Sequence, residues 1–399
     1  MATILIRYAE IGLKGANRST FEEQLRLNVQ RSLDLATEQA KQYKNQVIVT
    51  PPENQLDAAL QTLQRVYGIA WFASVTPCEN ELDAILATSV ELAKPLLDKN
   101  TTFRIKAQRS NKKLRFTSPN IEREAGHAVI EATQAPVDIH HPDVTIHVVA
   151  AWESAYVFTE RIEGLGGLPV GSSGKVLALL SGGFDSILAA HYLARRGAQV
   201  DFLHFHIYPD KAPVLESKIQ TIVEQLTLGT YSEKLFLASY LPFEMAILEL
   251  HHKERPYELV LFRRLMAQIG EAIAKEHGYQ ALVFGDSLGQ VASQTMENIT
   301  AVDDAVSIPI FRPLIGFDKH EVINQVRQLG FYDLATAPYK DCCSLISPEP
   351  VTKAFMPMLE RIEDKIGFGD VTKEVSSTVE EMQTQETTWD IEKVKKITR

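Results

Sequence analysis

Short apolar blocks and longer patterns of helical period alternate along this chain of 399 residues. In the first part, the pattern predicts a strand at residues 4–7, an amphipathic helix at residues 21–35 and a second strand at residues 47–50, which two prolines close. Ser19 or Thr20 can cap this helix, because a hydroxyl oxygen accepts a hydrogen bond from an N–H group of the first turn. These elements predict a small α/β domain over residues 1–60.

A second unit follows, to which we assign residues 61–165. The pattern predicts helices at residues 55–66, 81–97 and 121–131, and strands at residues 69–75, 102–108, 144–149 and 155–161. The segment 163–174, EGLGGLPVGSSG, contains five Gly, one Pro and two Ser. This composition is typical of a linker, so we place the clearest domain boundary of the chain there.

The third unit, residues 171–399, has apolar strands that alternate with helical patterns. The strands are predicted at residues 176–180, 200–206, 234–238 and 281–284. This alternation predicts an α/β, doubly wound parallel sheet with crossover helices. Ligands of such sheets bind beyond the carboxyl ends of the strands. Three polar segments are predicted to stand at such ends, residues 204–206, 285–290 and 311–321, the last with Asp318 as a predicted N-cap.

The first strand of the third unit ends abruptly in the string SGGFDS, before a helical pattern. Gly182 and Gly183 lack Cβ atoms, so that successive N–H groups can face one anion at a helix N-terminus. Ser181 and Ser186 can add hydroxyl donors, and Asp185 offers a carboxylate to a metal ion or a substrate. The alternative is an ordinary turn with Asp185 or Ser186 as N-cap. Because all six residues directly follow an apolar strand, we favour a phosphate-binding turn.

This turn is not of the GxxxxGK[ST] type, since Lys175 stands before the strand and residue 169 is Pro. The string SGGxDS instead resembles the PP-loop of ATP pyrophosphatases, which cleave ATP between its α and β phosphates. That resemblance implies transfer of AMP to a substrate oxygen, with pyrophosphate as the leaving group.

Composition narrows the class of protein further. With 45% hydrophobic residues, the chain can form packed cores, and no apolar run reaches 18 residues. The start of the chain lacks a long apolar signal segment, and three cysteines do not make a disulfide framework. We therefore expect a cytoplasmic protein that does not contact membranes.

The charge is distributed unevenly. The net charge of −10 argues against nucleic acid as a partner, but residues 1–170 carry only −2 of it, from 18 basic and 20 acidic residues. The segment 99–115 holds seven cations and no acid. A solvated face balanced by distant acids would explain this cluster, but it also fits an RNA-backbone contact. The predicted RNA-binding residues are Arg104, Lys106, Arg109, Lys112, Lys113 and Arg115.

The motifs together resemble the tRNA 4-thiouridine synthetase family, also called tRNA sulfurtransferases. ILIRYAEIGLKGANRSTFEEQL resembles the start of that family's ferredoxin-like domain, and VYGIAWFASV with the basic segment resembles its tRNA-binding THUMP domain. GGLPVGSSGKVLALLSGGFDS, GDSLGQVASQT, RPLIGFDKHE and DCCSLIS resemble successive motifs of its PP-loop domain. The resemblance implies a reaction in which ATP adenylylates the C4 oxygen of uridine 8 in tRNA, and persulfide sulfur then displaces AMP.

The resemblance also implies site residues. ATP contacts fall on Leu179, Leu180, His204, Phe205, Gly285, Gln294 and one arginine of the pair Arg263 and Arg264. Asp185 and Lys319 match positions needed for adenylylation, Cys343 matches the sulfur-transfer cysteine, and Cys342 is the less certain partner. From the residues alone, these cysteines could also be small buried hydrophobes. The implied cofactors are ATP and Mg²⁺, with no metal site made by protein ligands alone. The implied partners are tRNA, a cysteine desulfurase or other persulfide donor protein, and a second copy in a homodimer.

The end of the sequence departs from many family members, which carry a rhodanese domain with its own persulfide cysteine. This chain ends at Arg399 and has no Cys after residue 370. We therefore expect a separate protein to carry sulfur, or a cysteine desulfurase to charge Cys343 directly. The role of some relatives in making the thiazole of thiamine depends on the rhodanese domain, so we do not extend it to this chain.

Two other functions remain open. A PP-loop ligase or amidotransferase would use the same nucleotide site, but Cys78 is the only cysteine of the N-terminal half, and no glutaminase nucleophile is evident there. A non-catalytic tRNA-binding protein with a relict nucleotide pocket would have lost parts of SGGFDS, and none is lost.

Overall fold

The computed structural model describes residues 1–8, 10–346 and 349–384. The chain divides into two compact units, Met1–Pro169 and Val170–Arg399. Among the described residues, no helix combines the length and the apolar character needed to cross a membrane.

The first unit contains two sheets and the helices that cover them. Its strands are β1 (Ile4–Arg7), β2 (Ala40–Tyr43), β3 (Gln46–Val49), β4 (Trp71–Ser74), β5 (Thr76–Cys78), β6 (Phe103–Arg109), β7 (Val144–Ala150), β8 (Ala155–Phe158) and β9 (Ile162–Glu163). Its helices are α1 (Arg18–Ser32), α2 (Leu56–Leu63), α3 (Leu82–Ala93) and α4 (Ser118–Thr133), with 3-10 turns at Glu10–Leu13, Thr37–Gln39 and Glu53–Gln55.

The first sheet has the order β2-β3-β1-β4-β9 over the described residues. β4 pairs antiparallel with β1, so residues 71–74 belong to this first sheet. The sequence pattern instead assigns them to the domain predicted over residues 61–165. The chain therefore enters the first sheet again after residue 60. Helix α1 also begins earlier than predicted, after Asn17, so neither Ser19 nor Thr20 is its N-cap. An ion pair between Arg18 and Glu22 at 2.7 Å stabilises this added first turn.

The second sheet has the order β5-β8-β7-β6 and is covered on one face by α3 and α4. Residues alternate across β6, so that Phe103 packs toward the helices while Arg104 and Lys106 lie on the opposite face. Part of that opposite face packs against the first sheet, through residues such as Val149 and Phe158. On the same face, Lys106 of β6 is exposed.

The second unit is a sheet between two layers of helices. Its strands are β10 (Lys175–Leu179), β11 (Gln199–His206), β12 (Lys234–Ser239), β13 (Ala281–Val283), β14 (Ile310–Phe311) and β15 (Glu380–Gln383). Its helices are α5 (Phe184–Arg195), α6 (Ala212–Leu215), α7 (Lys218–Thr230), α8 (Leu241–Ile247), α9 (Glu258–His277), α10 (Met296–Asp303), α11 (Lys319–Gln328), α12 (Tyr332–Thr336), α13 (Met356–Ile366) and α14 (Phe368–Ser377). Short 3-10 turns lie at Arg255–Tyr257, Ala292–Gln294 and Cys342–Leu345.

The strand order is β14-β13-β10-β11-β12-β15. The first five strands of this order are parallel, as the sequence predicts, whereas β15 runs antiparallel to β12. The pattern missed β15 because its residues are polar, and a salt bridge between Lys234 and Glu381 at 2.9 Å helps to hold it at the edge. The chain runs outward from β10 to β11 on one side and to β13 on the other. This reversal opens a crevice beyond the carboxyl ends of β10 and β13.

Candidate active site

The SGGFDS loop, residues 181–186, joins β10 to α5 at this crevice. The Ser186 hydroxyl donates to the Gly183 carbonyl at 3.1 Å, and the Ser181 hydroxyl accepts from the Gly183 N–H at 3.3 Å. Helix α5 has Gly183 as its N-cap. Neither Asp185 nor Ser186 takes that position, so the alternative of an ordinary turn capped by one of them is wrong. The Asp185 carboxylate is consequently available for contacts across the crevice.

Two glycines let this loop pack closely against its neighbours. Gly182 has φ +78°, and a Cβ at this position would lie 2.5 Å from the Ile219 side chain of α7. A Cβ on Gly285, just after β13, would lie 2.7 Å from the Asp185 carbonyl carbon and 2.9 Å from the Ser186 nitrogen. At Gly285 two backbones are therefore in direct contact, and no side chain fits between them.

An ion pair crosses the crevice from the loop. Lys319 Nζ lies 2.8 and 3.1 Å from the two Asp185 carboxylate oxygens, and the Gln290 amide donates to the same carboxylate at 3.3 Å. Lys319 is the first residue of α11, and the predicted N-cap at Asp318 is confirmed by a reciprocal capping box with Glu321. The cap fixes where the helix begins and thereby the point from which the Lys319 side chain extends.

A buried histidine links the base of the loop to a distant segment. His204, at the end of β11, is 1% exposed, and its Nδ1 lies 2.7 Å from the Leu180 carbonyl oxygen. Its Nε2 lies 2.8 Å from the Tyr339 hydroxyl. Burial lowers the pKa of His204 to about 4, so the ring is neutral at neutral pH. The next residue, Phe205, packs its ring edge-on against Phe262.

A buried carboxylate joins three further elements of the crevice. Asp286 is 1% exposed and forms ion pairs with Arg263 at 2.7 Å and with Arg312 at 2.9 Å. The Gln294 amide also reaches it, at 3.4 Å. Both guanidinium groups lie near the face of Phe284, with centroid distances of 5.0 and 5.7 Å. Asp286 and Arg312 are not among the predicted site residues. Asp286 follows the predicted strand 281–284, and this position beyond a strand end is the available signal, whereas the strand before Arg312, β14, was not predicted.

The structure separates the two arginines that the sequence left open. Arg263 lines the crevice. Arg264 points elsewhere: its Nε lies 2.6 Å from a Glu363 carboxylate oxygen, and it donates to the Ala301 carbonyl. Of the pair, only Arg263 can contact a ligand in the crevice.

The lining of the crevice brings most of the predicted nucleotide residues together. It includes Leu179, Leu180, Ser181, Asp185, Ser186, His204, Phe205, Arg263, Gly285, Asp286, Gln294, Asp341 and Cys342. Within the described residues, the buried side-chain atoms without a hydrogen-bond partner include Arg263 Nε and Gln294 Oε1. Since such atoms are costly to leave unpaired, they mark where a polar ligand can bind.

The two predicted sulfur-transfer cysteines belong to one short 3-10 turn, Cys342–Leu345. Cys342 is 3% exposed and lines the crevice. The side chain of Cys343 lies outside the described part of the structure. The turn follows Tyr339, the hydrogen-bond partner of His204, so the segment with the cysteines approaches the crevice.

Lys218 is a second buried polar group near the loop that the sequence analysis missed. A Cβ on Gly182 would lie 3.3 Å from its Cε, and its Nζ donates to the Ala335 carbonyl at 2.9 Å. Burial lowers the pKa of Lys218, and the carboxylate of Asp341 opposes this change. No sequence pattern predicts that Lys218, on the first turn of α7, lies beside the SGGFDS loop, because only the fold brings these two segments together.

The basic segment of the first unit is placed unevenly. Arg109 points inward and donates to the Leu114 and Phe116 carbonyls at 3.0 and 2.8 Å, so it shapes the segment that follows β6. Arg104 is half-buried and donates to the Thr145 hydroxyl at 3.0 Å. The exposed predicted RNA contacts are Lys106, Lys112, Lys113 and Arg115.

Arg161 is a further cation of the first unit, and it is not among the predicted RNA contacts. Arg161 lies over the Trp71 ring, with a centroid distance of 4.2 Å. Burial, together with the charges of Arg161, Lys106 and Arg104, lowers the pKa of His147 to about 4.

Comparisons with known proteins agree with this organisation. Three family models match consecutive parts of the chain: the ThiI ferredoxin-like domain at residues 3–73, the THUMP domain at residues 79–160, and the thiamine biosynthesis protein ThiI at residues 171–368. The predicted fold class, with its ferredoxin-like, THUMP and PP-loop parts, is thereby confirmed.

Relatives cover nearly the whole chain. The probable tRNA sulfurtransferase of Acetivibrio thermocellus is 36% identical, over 90% of this chain and 92% of that protein. That of Moorella thermoacetica is 35% identical, over 95% and 96%. The crystal structure of a 4-thiouridine synthetase–RNA complex with bound ATP superposes with a TM-score of 0.84 and 29% identity, over 96% of this chain and 100% of that one. The chain belongs to the tRNA sulfurtransferase family.

Proposed function

We propose that this protein is an ATP-dependent tRNA sulfurtransferase that converts uridine 8 of tRNA to 4-thiouridine. In the first step the C4 oxygen attacks the α phosphate of ATP, and pyrophosphate leaves. In the second step sulfur attacks C4, and AMP leaves with the original oxygen. The observation that carries the proposal is the SGGFDS loop with its Asp185–Lys319 pair at the strand reversal of the sheet, in a chain of this family.

The crevice offers complementary surfaces to each part of ATP. The N–H groups of the SGGFDS loop and the start of α5 favour the phosphates. The apolar side chains of Leu179 and Phe205 line the same crevice. The unpaired Arg263 Nε and Gln294 Oε1 supply a donor and an acceptor for the polar edges of the nucleotide.

Asp185 and Lys319 act on the adenylylation step in this proposal. Negative charge moves onto pyrophosphate as the bond to the α phosphate breaks, and a fixed cation stabilises that charge. The Asp185 carboxylate, 2.8 Å from Lys319 Nζ, holds the ammonium group at the loop.

Magnesium would bind with the nucleotide. No group of three or more His, Cys, Asp or Glu side chains among the described residues could hold a metal ion. Mg²⁺ commonly binds one or two carboxylates together with substrate phosphates and water. Asp185 is the lining carboxylate on the SGGFDS loop itself, and it fits this use. The ion would neutralise charge on the phosphates.

Sulfur transfer is proposed to use the cysteine pair. A persulfide on Cys343, supplied by a cysteine desulfurase or other donor protein, attacks C4 through its terminal sulfur and displaces AMP. The Cys342 thiolate then attacks Cys343 sulfur, which releases 4-thiouridine and leaves a disulfide between the two cysteines. A dithiol reductant must reopen this disulfide before the next cycle.

The tRNA is proposed to contact the basic surface of the first unit. The exposed side chains of Lys106, Lys112, Lys113 and Arg115 can reach backbone phosphates. Arg104 and Arg109 would support that surface through their contacts with neighbouring groups. The homodimer and the cytoplasmic location belong to the same proposal and rest on the family resemblance alone.

One reconstitution tests the proposal. Purified protein, unmodified tRNA, ATP, Mg²⁺, and a cysteine desulfurase with cysteine should yield 4-thiouridine in tRNA nucleosides analysed by mass spectrometry. Asp185→Asn should abolish both AMP release and product. Cys343→Ser should release AMP with free sulfide but make no 4-thiouridine with the desulfurase. Normal 4-thiouridine levels in cells that lack this protein would contradict the proposal.

A further inference from the structure

A buried hydrogen-bond chain connects the strand before the SGGFDS loop with the segment that carries the cysteines. We define the cysteine loop as residues 337–346. The chain runs from the Leu180 carbonyl to His204, at 2.7 Å, and from His204 to the Tyr339 hydroxyl, at 2.8 Å. The His204 and Tyr339 rings also contact each other, with a centroid distance of 5.6 Å.

The chemistry of the partners fixes the direction of each hydrogen bond. A carbonyl oxygen only accepts, so Nδ1 of His204 must carry the proton that is donated to Leu180. Because burial keeps the ring neutral at neutral pH, Nε2 has a lone pair and must accept from the Tyr339 hydroxyl. Without that hydroxyl, Nε2 is a buried acceptor with no partner from the cysteine loop.

A second contact holds the same segment at its start. Lys218, on the first turn of α7, donates to the Ala335 carbonyl of α12 at 2.9 Å, two residues before the cysteine loop. Its Cε lies beside Gly182 of the SGGFDS loop, and the charge of Asp341 in the cysteine loop acts on it. The first contact therefore begins on β11, where His204 lines the crevice, and the second begins on α7, which packs against Gly182 of the SGGFDS loop.

We propose that Tyr339 is a positioning residue, whose hydroxyl fixes the cysteine loop against the nucleotide crevice through His204. This inference rests on the proposed function, because it concerns delivery of sulfur from the cysteines to an adenylylated uridine. ATP binding and adenylylation use the crevice itself. Loss of the hydroxyl should consequently affect sulfur delivery from a protein-bound persulfide and spare attack by free sulfide, which needs no carrier.

The test is Tyr339→Phe, which keeps the ring and removes only the hydroxyl. Tyr208→Phe is the matched control, since the Tyr208 ring lies 6.1 Å from the Tyr339 ring but does not take part in the chain to Leu180. With the desulfurase as donor, kcat for 4-thiouridine formation should fall about 10- to 100-fold in Tyr339→Phe, because small misplacements of reacting groups have such effects. KM for ATP and tRNA, and the rate with free sulfide, should stay within about twofold of wild type.

A measurement independent of turnover completes the test. Cys342 is 3% exposed, so loosening of the cysteine loop should raise its alkylation rate at least fivefold, relative to Cys78 in the same chain. Equal loss of activity with both sulfur donors, or an unchanged Cys342 alkylation rate, would overturn the positioning role. If the wild-type protein made no 4-thiouridine with either donor, the proposed function would fail, and the alkylation rates would still decide whether Tyr339 holds the loop.

Discussion

Replacement of Gly285 by alanine tests the packing that brings two backbones together in the crevice. The added Cβ would lie 2.7, 2.8 and 2.9 Å from the Asp185 carbonyl carbon, its oxygen and the Ser186 nitrogen. Ordinary contacts between carbon atoms are about 3.5–4.0 Å, so the overlap is about 0.8 Å. Every overlapping atom is backbone, and no rotamer change can relieve the overlap.

The SGGFDS loop and the strand end after β13 must therefore move apart by about 1 Å. Such overpacking typically lowers the free energy of unfolding by about 1–3 kcal/mol. A displacement of about 1 Å in reacting groups can lower a rate by about 100-fold. We expect Gly285→Ala to remain folded at 25 °C but to lose at least 100-fold in AMP release with tRNA and sulfide.

The matched control is Gly369→Ala in α14, where a Cβ would meet no atom within 4 Å. This change should raise stability by at most about 0.5–1 kcal/mol, the mid-helix preference for alanine over glycine, because Gly369 lies in the first turn. Urea unfolding measures both stabilities, and quantified AMP measures the reaction. If Gly285→Ala released AMP at the wild-type rate, the close approach would have no part in positioning the loop.

The remaining predictions concern three other surfaces. Replacing Lys112 and Lys113 by alanine should make the negative slope of log affinity for tRNA against log salt shallower by up to about 2, with ATP binding unchanged. An unchanged slope would mean that these lysines are solvated and do not contact tRNA phosphates. Arg263→Met should weaken ATP binding at least tenfold by calorimetry, whereas Arg264→Met should instead lower the free energy of unfolding by about 3–5 kcal/mol, since it breaks a buried pair; the reverse pattern would refute the assignment of Arg263 to the crevice. Burial lowers the pKa of His191 to about 4, whereas an unfolded histidine has a pKa of about 6.5. Below pH 6.5 the unfolded state therefore binds more protons than the native state, and the free energy of unfolding falls as the pH falls toward 4. Between pH 7 and pH 5 this amounts to about 2 kcal/mol, and His191→Gln should remove that share of the acid dependence in urea unfolding.

The sequence predicted what depends on neighbours along the chain. The glycines and hydroxyls of the turn all lie within SGGFDS, and the helical pattern follows directly in the sequence. The turn could therefore be predicted without knowledge of the fold. The same holds for the cap of α11, where Asp318 and Glu321 are three residues apart and satisfy each other's backbone groups. Apolar runs such as residues 176–180 also predicted parallel strands, because both faces of such strands are buried.

The sequence could not predict interactions between distant segments. The apolar pattern predicts a strand at β4, but only its pairing with β1 shows that this strand belongs to the first sheet. β15 has the sequence EEMQ, and its polar pattern gives no strand signal. Its place is set by pairing with β12 and by the charge of Lys234, more than 140 residues earlier in the chain.

The two adjacent arginines show where local reasoning stops. Successive residues of a helix point about 100° apart, so Arg263 and Arg264 on α9 must face different surroundings, and the motif alone does not say which arginine faces the crevice. Helical phase supplies part of the answer, because Val260, Leu261 and Leu265 are fully buried and define the core side of α9. The rest depends on which carboxylate each guanidinium meets, and Asp286 and Glu363 lie 23 and 99 residues from their partners. The fold, by bringing Asp286 to the strand end beside β10, places Arg263 at the crevice and leaves Arg264 to hold α9 against α13.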